Sequence, residues 1–168
     1  MKINFKNQKG FTFVELLLFM GIFSILIVAL FQLLTSIFDV QFESQSTAGV
    51  SQDGRFILNR LSYDIGKAVS FTNPDIGSQS SALQFSDGTK TLTYSLVNGN
   101  LTLASTPSGT VDELNSFNTS VSNVSFLRLA DTSNKNDTIT ASFTITSKVI
   151  RRGEAESQNF KTTVGIRQ

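Results

Sequence analysis

Among its 168 residues the chain has no cysteine, no histidine and no tryptophan. Without cysteine, neither a disulfide framework nor thiolate chemistry is open to it. Without histidine, the commonest general base and the commonest metal ligand are both missing. Serine is plentiful, but a hydrolytic triad has no base. Charge is scarce too. A formal net charge of +1 gives no electrostatic case for nucleic acid, which needs a basic face. These absences argue against an enzyme and leave no cofactor or metal to expect. What is present is fifteen phenylalanines and a remainder rich in Ser, Thr and Asn. That composition suits an exported β-rich domain, and the length allows one modest domain plus a membrane segment.

Lys2, Lys6 and Lys9 occupy the first ten residues, which contain no acid. From Phe11 to Phe38 the chain is almost wholly apolar, and Glu15 is the only charge in the run. At about 28 residues the run is long enough to cross a ~30 Å hydrocarbon core as a tilted helix. The lysines in front of it, with Asp39 and Glu43 behind, predict a cytoplasmic N-terminus and an exported remainder. The run is too long for the apolar region of a cleaved secretory signal, and no small-residue cleavage site closes it. A lipoprotein signal is excluded by the lack of cysteine. An isolated carboxylate in a bilayer costs about 2.5–3.5 kcal/mol on insertion scales, so Glu15 marks function and needs a partner.

Lys9-Gly10 followed by Phe11-Thr12-Phe13-Val14-Glu15-Leu16-Leu17 resembles the prepilin-peptidase site of type IV pilins and type II secretion pseudopilins. The resemblance implies cleavage by a membrane aspartyl protease between Gly10 and Phe11, then N-methylation of Phe11. Glu15 stands where that family keeps its glutamate. Cleavage would turn the Phe11 amide nitrogen into an ammonium, which methylation leaves cationic. Two unit charges at ~4 Å gain roughly 4 kcal/mol at an effective dielectric of 20, comparable with the insertion penalty. Phe11 and Glu15 of one chain lie about a turn apart, so an intrachain pair is open; the resemblance favours a pair with the neighbouring subunit.

The helical pattern continues past the bilayer. Val50, Ile57, Leu61, Ile65 and Ala68 recur at three-, four- and seven-residue steps, the signature of one apolar helix face. Asp53, Arg55, Arg60 and Lys67 fall on other faces. The first proline is Pro74, and Asn73-Pro74 predicts the stop. Gly49 and Gly54 each weaken the helix by about 1 kcal/mol against Ala. Many members of the resembled family carry a proline where Gln32 stands here, so the usual cause of a kink is absent. Gly21 and Ser24 offer small residues for close helix approach.

Beyond Pro74 the period changes to two. A strand is predicted over 81–85, an Asp87-Gly88 turn, and alternation of Leu92, Tyr94 and Leu96. Asn98-Gly99 turns the chain into Leu101 and Leu103, and residues 105–113 read as a loop. Strands are predicted over 121–129, through Ile139, Ala141, Phe143 and Ile145, and through Phe160, Thr162, Val164 and Ile166, the last after a turn over 151–157. Successive hairpins imply an antiparallel sheet with one face covered by the amphipathic helix, an α+β pilin-like architecture. The expected divisions are a leader at 1–10, a transmembrane or filament-core helix at 11–38, its amphipathic continuation at 39–70 and a β-rich exported domain at 71–168.

The stretch from Arg55 to Ala68 is similar to the helix end of W-type minor pilins and J-type pseudopilins. The Leu83-Gln84-Phe85 hairpin, the Val124-Ser125-Phe126 strand and the closing strand from Phe160 to Arg167 are similar to the same subunits. Other candidates are weaker. Asp131, Asn134, Asn136 and Asp137 offer oxygen ligands but miss the EF-hand pattern, so a solvated hairpin tip is expected. Asp112-Glu113 and the mixed charges Arg151, Arg152, Glu154 and Glu156 read as solvated turns. Sequons begin at Asn100, Asn118, Asn123 and Asn136, as a Ser/Thr/Asn-rich chain produces by chance. The resemblance implies a minor or initiating subunit of a type IV pilus or pseudopilus. Its implied partners are prepilin peptidase, other pilin or pseudopilin subunits, the inner-membrane assembly platform and the lipid bilayer. The alternatives are a type II secretion or competence pseudopilin, and a membrane-anchored exported binding domain that never polymerises.

Overall fold

The computed structural model describes residues 10–130, 137–151 and 154–166. One long helix is followed only by strands, the α+β pilin-like architecture that the two periodicities predict. Helix α1 spans Phe13–Gly66, and the chain divides into two compact units at Phe42 and Glu43.

In the first unit, the apolar side chains from Phe11 to Phe42 all point to solvent, and none is buried. Ser24 Oγ donates to the Met20 carbonyl (2.8 Å), and Thr35 Oγ1 and Ser36 Oγ both donate to the Gln32 carbonyl (2.9 Å each). Phe19 and Phe23 stack along the helix with ring centroids 5.9 Å apart.

In the second unit, the predicted face of α1 is the buried one: Val50, Ile57, Leu61 and Ile65 are fully enclosed, and Ala68 follows just past the helix. The helix ends at Gly66, short of the predicted Asn73-Pro74 stop. The Lys67 N–H turns back to Asp64 O (3.2 Å) and the Ala68 N–H to Ile65 O (3.0 Å), tightening the last turn. The Val69 N–H then donates to Ser86 O at 2.8 Å, so sheet pairing has already captured the backbone.

Among the described residues nine strands follow, in two antiparallel sheets where the sequence predicts one. The first sheet runs β1 (Ser70–Asn73), β3 (Leu83–Ser86), β4 (Thr91–Val97), β5 (Asn100–Thr106) and β6 (Thr110–Glu113). The second runs β2 (Gln79–Ser80), β7 (Thr119–Leu129), β8 (Thr138–Arg151) and β9 (Glu154–Gly165). Hairpin signals are local, whereas the crossing of the chain between sheets at Leu114–Phe117 is not marked by any local residue pattern. The two sheets join where the Val121 N–H donates to Gly99 O at 2.7 Å. One core draws on both inner faces and the helix, with Phe85 and Tyr94 from the first sheet and Phe126, Ile139 and Ile145 from the second.

Other expectations change in detail. The stretch 105–113 is a hairpin, because Thr110–Glu113 pairs with Thr102–Ser105 as an edge strand. Asn98 and Gly99 both have positive φ (51° and 79°), the turn that a two-residue hairpin needs. Leu92 and Tyr94 are buried as predicted, but Leu96 lies beside that turn, past the end of the core, and is exposed. The strand predicted over 81–85 is β3, which starts two residues later at Leu83 and runs to Ser86, and the short β2 precedes it. The β8–β9 turn is tighter than predicted, since Arg151 already pairs with Glu154. In β9, Phe160, Thr162 and Val164 are half-buried on one side, as the alternation predicts.

Candidate functional site

Three residues before the helix decide the geometry of its start. Gly10, Phe11 and Thr12 lie outside α1, so the Gly10–Phe11 peptide bond is in non-helical, exposed chain. Nothing lies within 4 Å of the space where a Gly10 side chain would be. Phe11 is 84% exposed. Thr12 caps the helix: its Oγ1 accepts the Glu15 N–H at 3.3 Å, and its carbonyl accepts the Leu16 N–H at 3.2 Å. Thr12-x-x-Glu15 is the capping-box spacing, which the sequence reading passed over. Glu15 is thereby fixed in the first helical turn, where the helix dipole favours a negative charge. Glu15 and Phe11 fall at the same helix end, separated by the cap. Lys2, Lys6 and Lys9 lie outside the described residues.

Behind this terminus, α1 is long and apolar enough to cross a membrane, and its apolar window buries none of its surface. An exposed Gly10–Phe11 bond, a capped acidic first turn and a bare apolar helix follow one another without a break. Residues 5–31 match the model of the prokaryotic N-terminal methylation motif. That motif supports a type IV pilin or pseudopilin assignment. The chain has no match among curated proteins or solved structures. The motif implies cleavage by prepilin peptidase and assembly with other pilin subunits, and the apolar helix fits a membrane-anchored pilin. It points to a structural subunit rather than an enzyme.

The weaker candidate sites gather no shared chemistry among the described residues. Asp131, Asn134 and Asn136 lie outside the described residues. Asp137 belongs to a salt bridge: Arg128 donates to its Oδ2 from Nη2 at 2.7 Å and from Nε at 3.1 Å. Arg128 also donates from Nη1 to the carbonyls of Phe71 (3.2 Å) and Pro74 (3.3 Å), and stacks over the Phe71 ring. Its guanidinium thus ties β7 to β1 and uses Asp137 as its counter-ion. Asp112 and Glu113 lie exposed on β6, and Glu154 and Glu156 are exposed on β9. Among the described residues no group of three or more His, Cys, Asp or Glu is placed to hold a metal ion.

Two acidic side chains on α1, Asp53 and Asp64, help to fix the second unit. Asp53 Oδ2 accepts from the Ser116 N–H (2.9 Å), Ser116 Oγ (2.7 Å) and Thr119 Oγ1 (2.6 Å), holding the chain at its crossing between sheets. Asn115 sits buried beside it, accepting from the Leu101 N–H at 3.0 Å and donating to Thr119 O at 3.1 Å. Asp64 is buried, and its Oδ2 accepts from Tyr94 OH at 2.5 Å and Arg60 Nε at 2.8 Å. Burial pushes the Tyr94 hydroxyl well above its ordinary range, and the Asp64 bond adds to the shift, so the phenol stays protonated as the donor. The signal for Asp64 is its spacing, three residues after Leu61 and seven after Ile57 on the buried face; its partner Tyr94 is thirty residues away.

Proposed function

We propose that the chain is a minor prepilin that prepilin peptidase cuts between Gly10 and Phe11, after which Phe11 is N-methylated and the subunit joins the start of a type IV pilus or pseudopilus. The match over residues 5–31 carries this reading. Two features support the cleavage site: the Gly10–Phe11 bond is unwound and exposed, and the helix begins only at Phe13. The leader 1–10, with Lys2, Lys6 and Lys9, stays in the cytoplasm. Residues 11–38 occupy the bilayer and later the filament core, 39–70 continue the helix, and 71–168 are exported. The inner-membrane assembly platform and the lipid bilayer are then partners alongside other subunits. The similarity of Arg55 to Ala68 to minor pilins and J-type pseudopilins supports the minor role.

Proteolysis supplies what Glu15 lacks. It converts the Phe11 amide into an ammonium, and the carboxylate of a neighbouring subunit pairs with it, which fixes axial register in the filament. Glu15→Ala tests the pair. Mature protein that has lost Met1–Gly10 and gained one methyl by mass should still form, while its incorporation into filaments falls. Unchanged incorporation removes the ion pair from the account. An intact leader in the wild-type protein overturns the pilin reading in favour of a plain membrane-anchored domain.

A further inference from the structure

Phe117 is 90% exposed, more than any other large apolar side chain among the described residues. Its backbone is nevertheless fixed on both sides. The Ser116 N–H and hydroxyl donate to Asp53 Oδ2, and the Thr119 hydroxyl donates to the same oxygen. Between them the Phe117 carbonyl accepts from Lys148 Nζ at 3.0 Å, and the Asn118 carbonyl accepts from the Lys148 N–H at 2.8 Å. The Lys148 ammonium lies 5.4 Å from the centre of the Phe117 ring. A single apolar side chain on a surface is ordinary. Here the ring is held outward by five hydrogen bonds around it, under a cation, with exposed Val149 next in the strand.

The contacts of β9 with α1 place this group within the second unit. Phe160 meets the helix at Gly54, and Gln158 meets it at Ser51, whose hydroxyl donates to Gln158 Oε1 at 3.3 Å. Followed backwards, β9 therefore advances towards the earlier turns of the helix. The β8–β9 ladder continues that way past Thr146–Ser157 as far as Arg151–Glu154. Lys148 and Val149 lie on this extension, and Phe117 lies beside it, just ahead of Thr119, which pairs with Ser147. Ser51 is about 12 Å of helix from Glu43, where the unit begins. Phe117, Lys148 and Val149 thus occupy the end of the unit at which the chain arrives from the apolar run.

We infer that this end docks on the surface of the phospholipid bilayer that anchors the chain, with the Phe117 ring in the headgroup layer and Lys148 on lipid phosphate. The inference rests on the membrane-anchored reading above. Aromatic rings settle at the membrane–water interface, and a lysine can lay its stem on apolar atoms while its charge stays among the headgroups. Lys148 spends one of its three N–H donors on the Phe117 carbonyl, which leaves two for phosphate. Glu154 and Glu156 are exposed on β9, across β8 from Phe117. Phosphate repels them, so the contact is confined to the β7 side. Every anchored copy carries this end next along the chain to the bilayer, whether or not a filament has formed.

The chain has no tryptophan, so Phe117→Trp creates a single fluorescent reporter. Ile76→Trp creates a second in another protein sample, beside Arg128 at the far end of β7. Full-length protein carrying either one is reconstituted in phosphatidylethanolamine/phosphatidylglycerol vesicles, with and without lipids brominated high on the acyl chain. The bromines should quench the reporter at 117 at least about threefold more than the one at 76. Lys148→Glu should cut that quenching by about half, and Lys148→Arg should keep it. Equal quenching at the two positions overturns the proposal. Emission from 117 that is blue-shifted yet unquenched also overturns it, because the ring is then buried against protein. Quenching that ignores Lys148→Glu overturns the pairing with phosphate. Flotation separates the two readings: protein that fails to float with the vesicles overturns the membrane reading and the docking with it, whereas protein that floats with an unquenched reporter at 117 overturns the docking alone.

Discussion

At the β3–β4 turn a single carboxylate gathers three donors. Asp87 Oδ1 accepts from the Thr89 N–H (2.9 Å), the Thr89 hydroxyl (2.8 Å) and the Lys90 N–H (2.9 Å). The Thr89 backbone bond, then its hydroxyl, then the Lys90 backbone bond hold the Asp87 carboxyl at about 2, below the ordinary value of 3.8. The folded value lies below the unfolded one, so the stabilisation is fully present above about pH 4 and fades as pH falls through about 2. An NMR titration of the Asp87 side chain should therefore show a midpoint near 2; a midpoint at the ordinary carboxylate value would mean that the turn is not closed by these bonds. The Asp87-Gly88 pair announces this turn in the sequence, and Thr12-x-x-Glu15 announces the helix cap equally well. Asp53 announces nothing, because Ser116 and Thr119, which donate to it, are distant in the chain; the spacing of Asp64 places it on the buried face but does not name Tyr94 as its partner.

At the scale of elements, Gly49 and Gly54 of α1 read alike in sequence and are opposite in structure. Around Gly49 there is open space, whereas a Cβ added at Gly54 would overlap the Phe160 ring of β9. That ring cannot easily yield, since it stacks on Phe143 with centroids 5.5 Å apart. Gly54 is thus the point of closest approach between helix and strand. Gly49→Ala should stabilise the protein by up to about 1 kcal/mol through helix propensity. Gly54→Ala should destabilise it by about 1–3 kcal/mol, since overpacking outweighs the same propensity gain. Urea denaturation of the full chain in detergent measures both, and equal effects at the two positions would deny the close approach. The amphipathic face of α1 and the alternation in β4, β7, β8 and β9 are legible because each depends on a local period. The edge strand β6 is not, since its four residues are all exposed and only the pairing with β5 makes them a strand.

For the molecule as a whole, the division at Phe42 and Glu43 separates two kinds of solvent exposure. The core begins at Val50 and contains no residue of the apolar run. A chain starting at Glu43 should therefore fold alone, with β-rich circular dichroism and a cooperative thermal transition. Loss of cooperativity on removing the first unit would mean that the apolar helix supports the fold directly. The apolar surface of Phe13–Phe42 is left bare, and the methylation-motif match reaches into the same stretch, as far as Phe31.

The sequence by itself determined the start of the chain: an exposed Gly10–Phe11 junction, a lone Glu15 and an apolar run, all set within a few helical turns. It also determined which face of the helix is buried and where the tight turns fall, because capping, period and turn chemistry act over short separations. Only the tertiary structure decided that the strands form two sheets, that Gly54 receives Phe160, and that Asp53 and Asp64 are structural anchors rather than solvated charges. Those outcomes depend on contacts between residues dozens of positions apart, and no local residue preference encodes which distant partner will arrive.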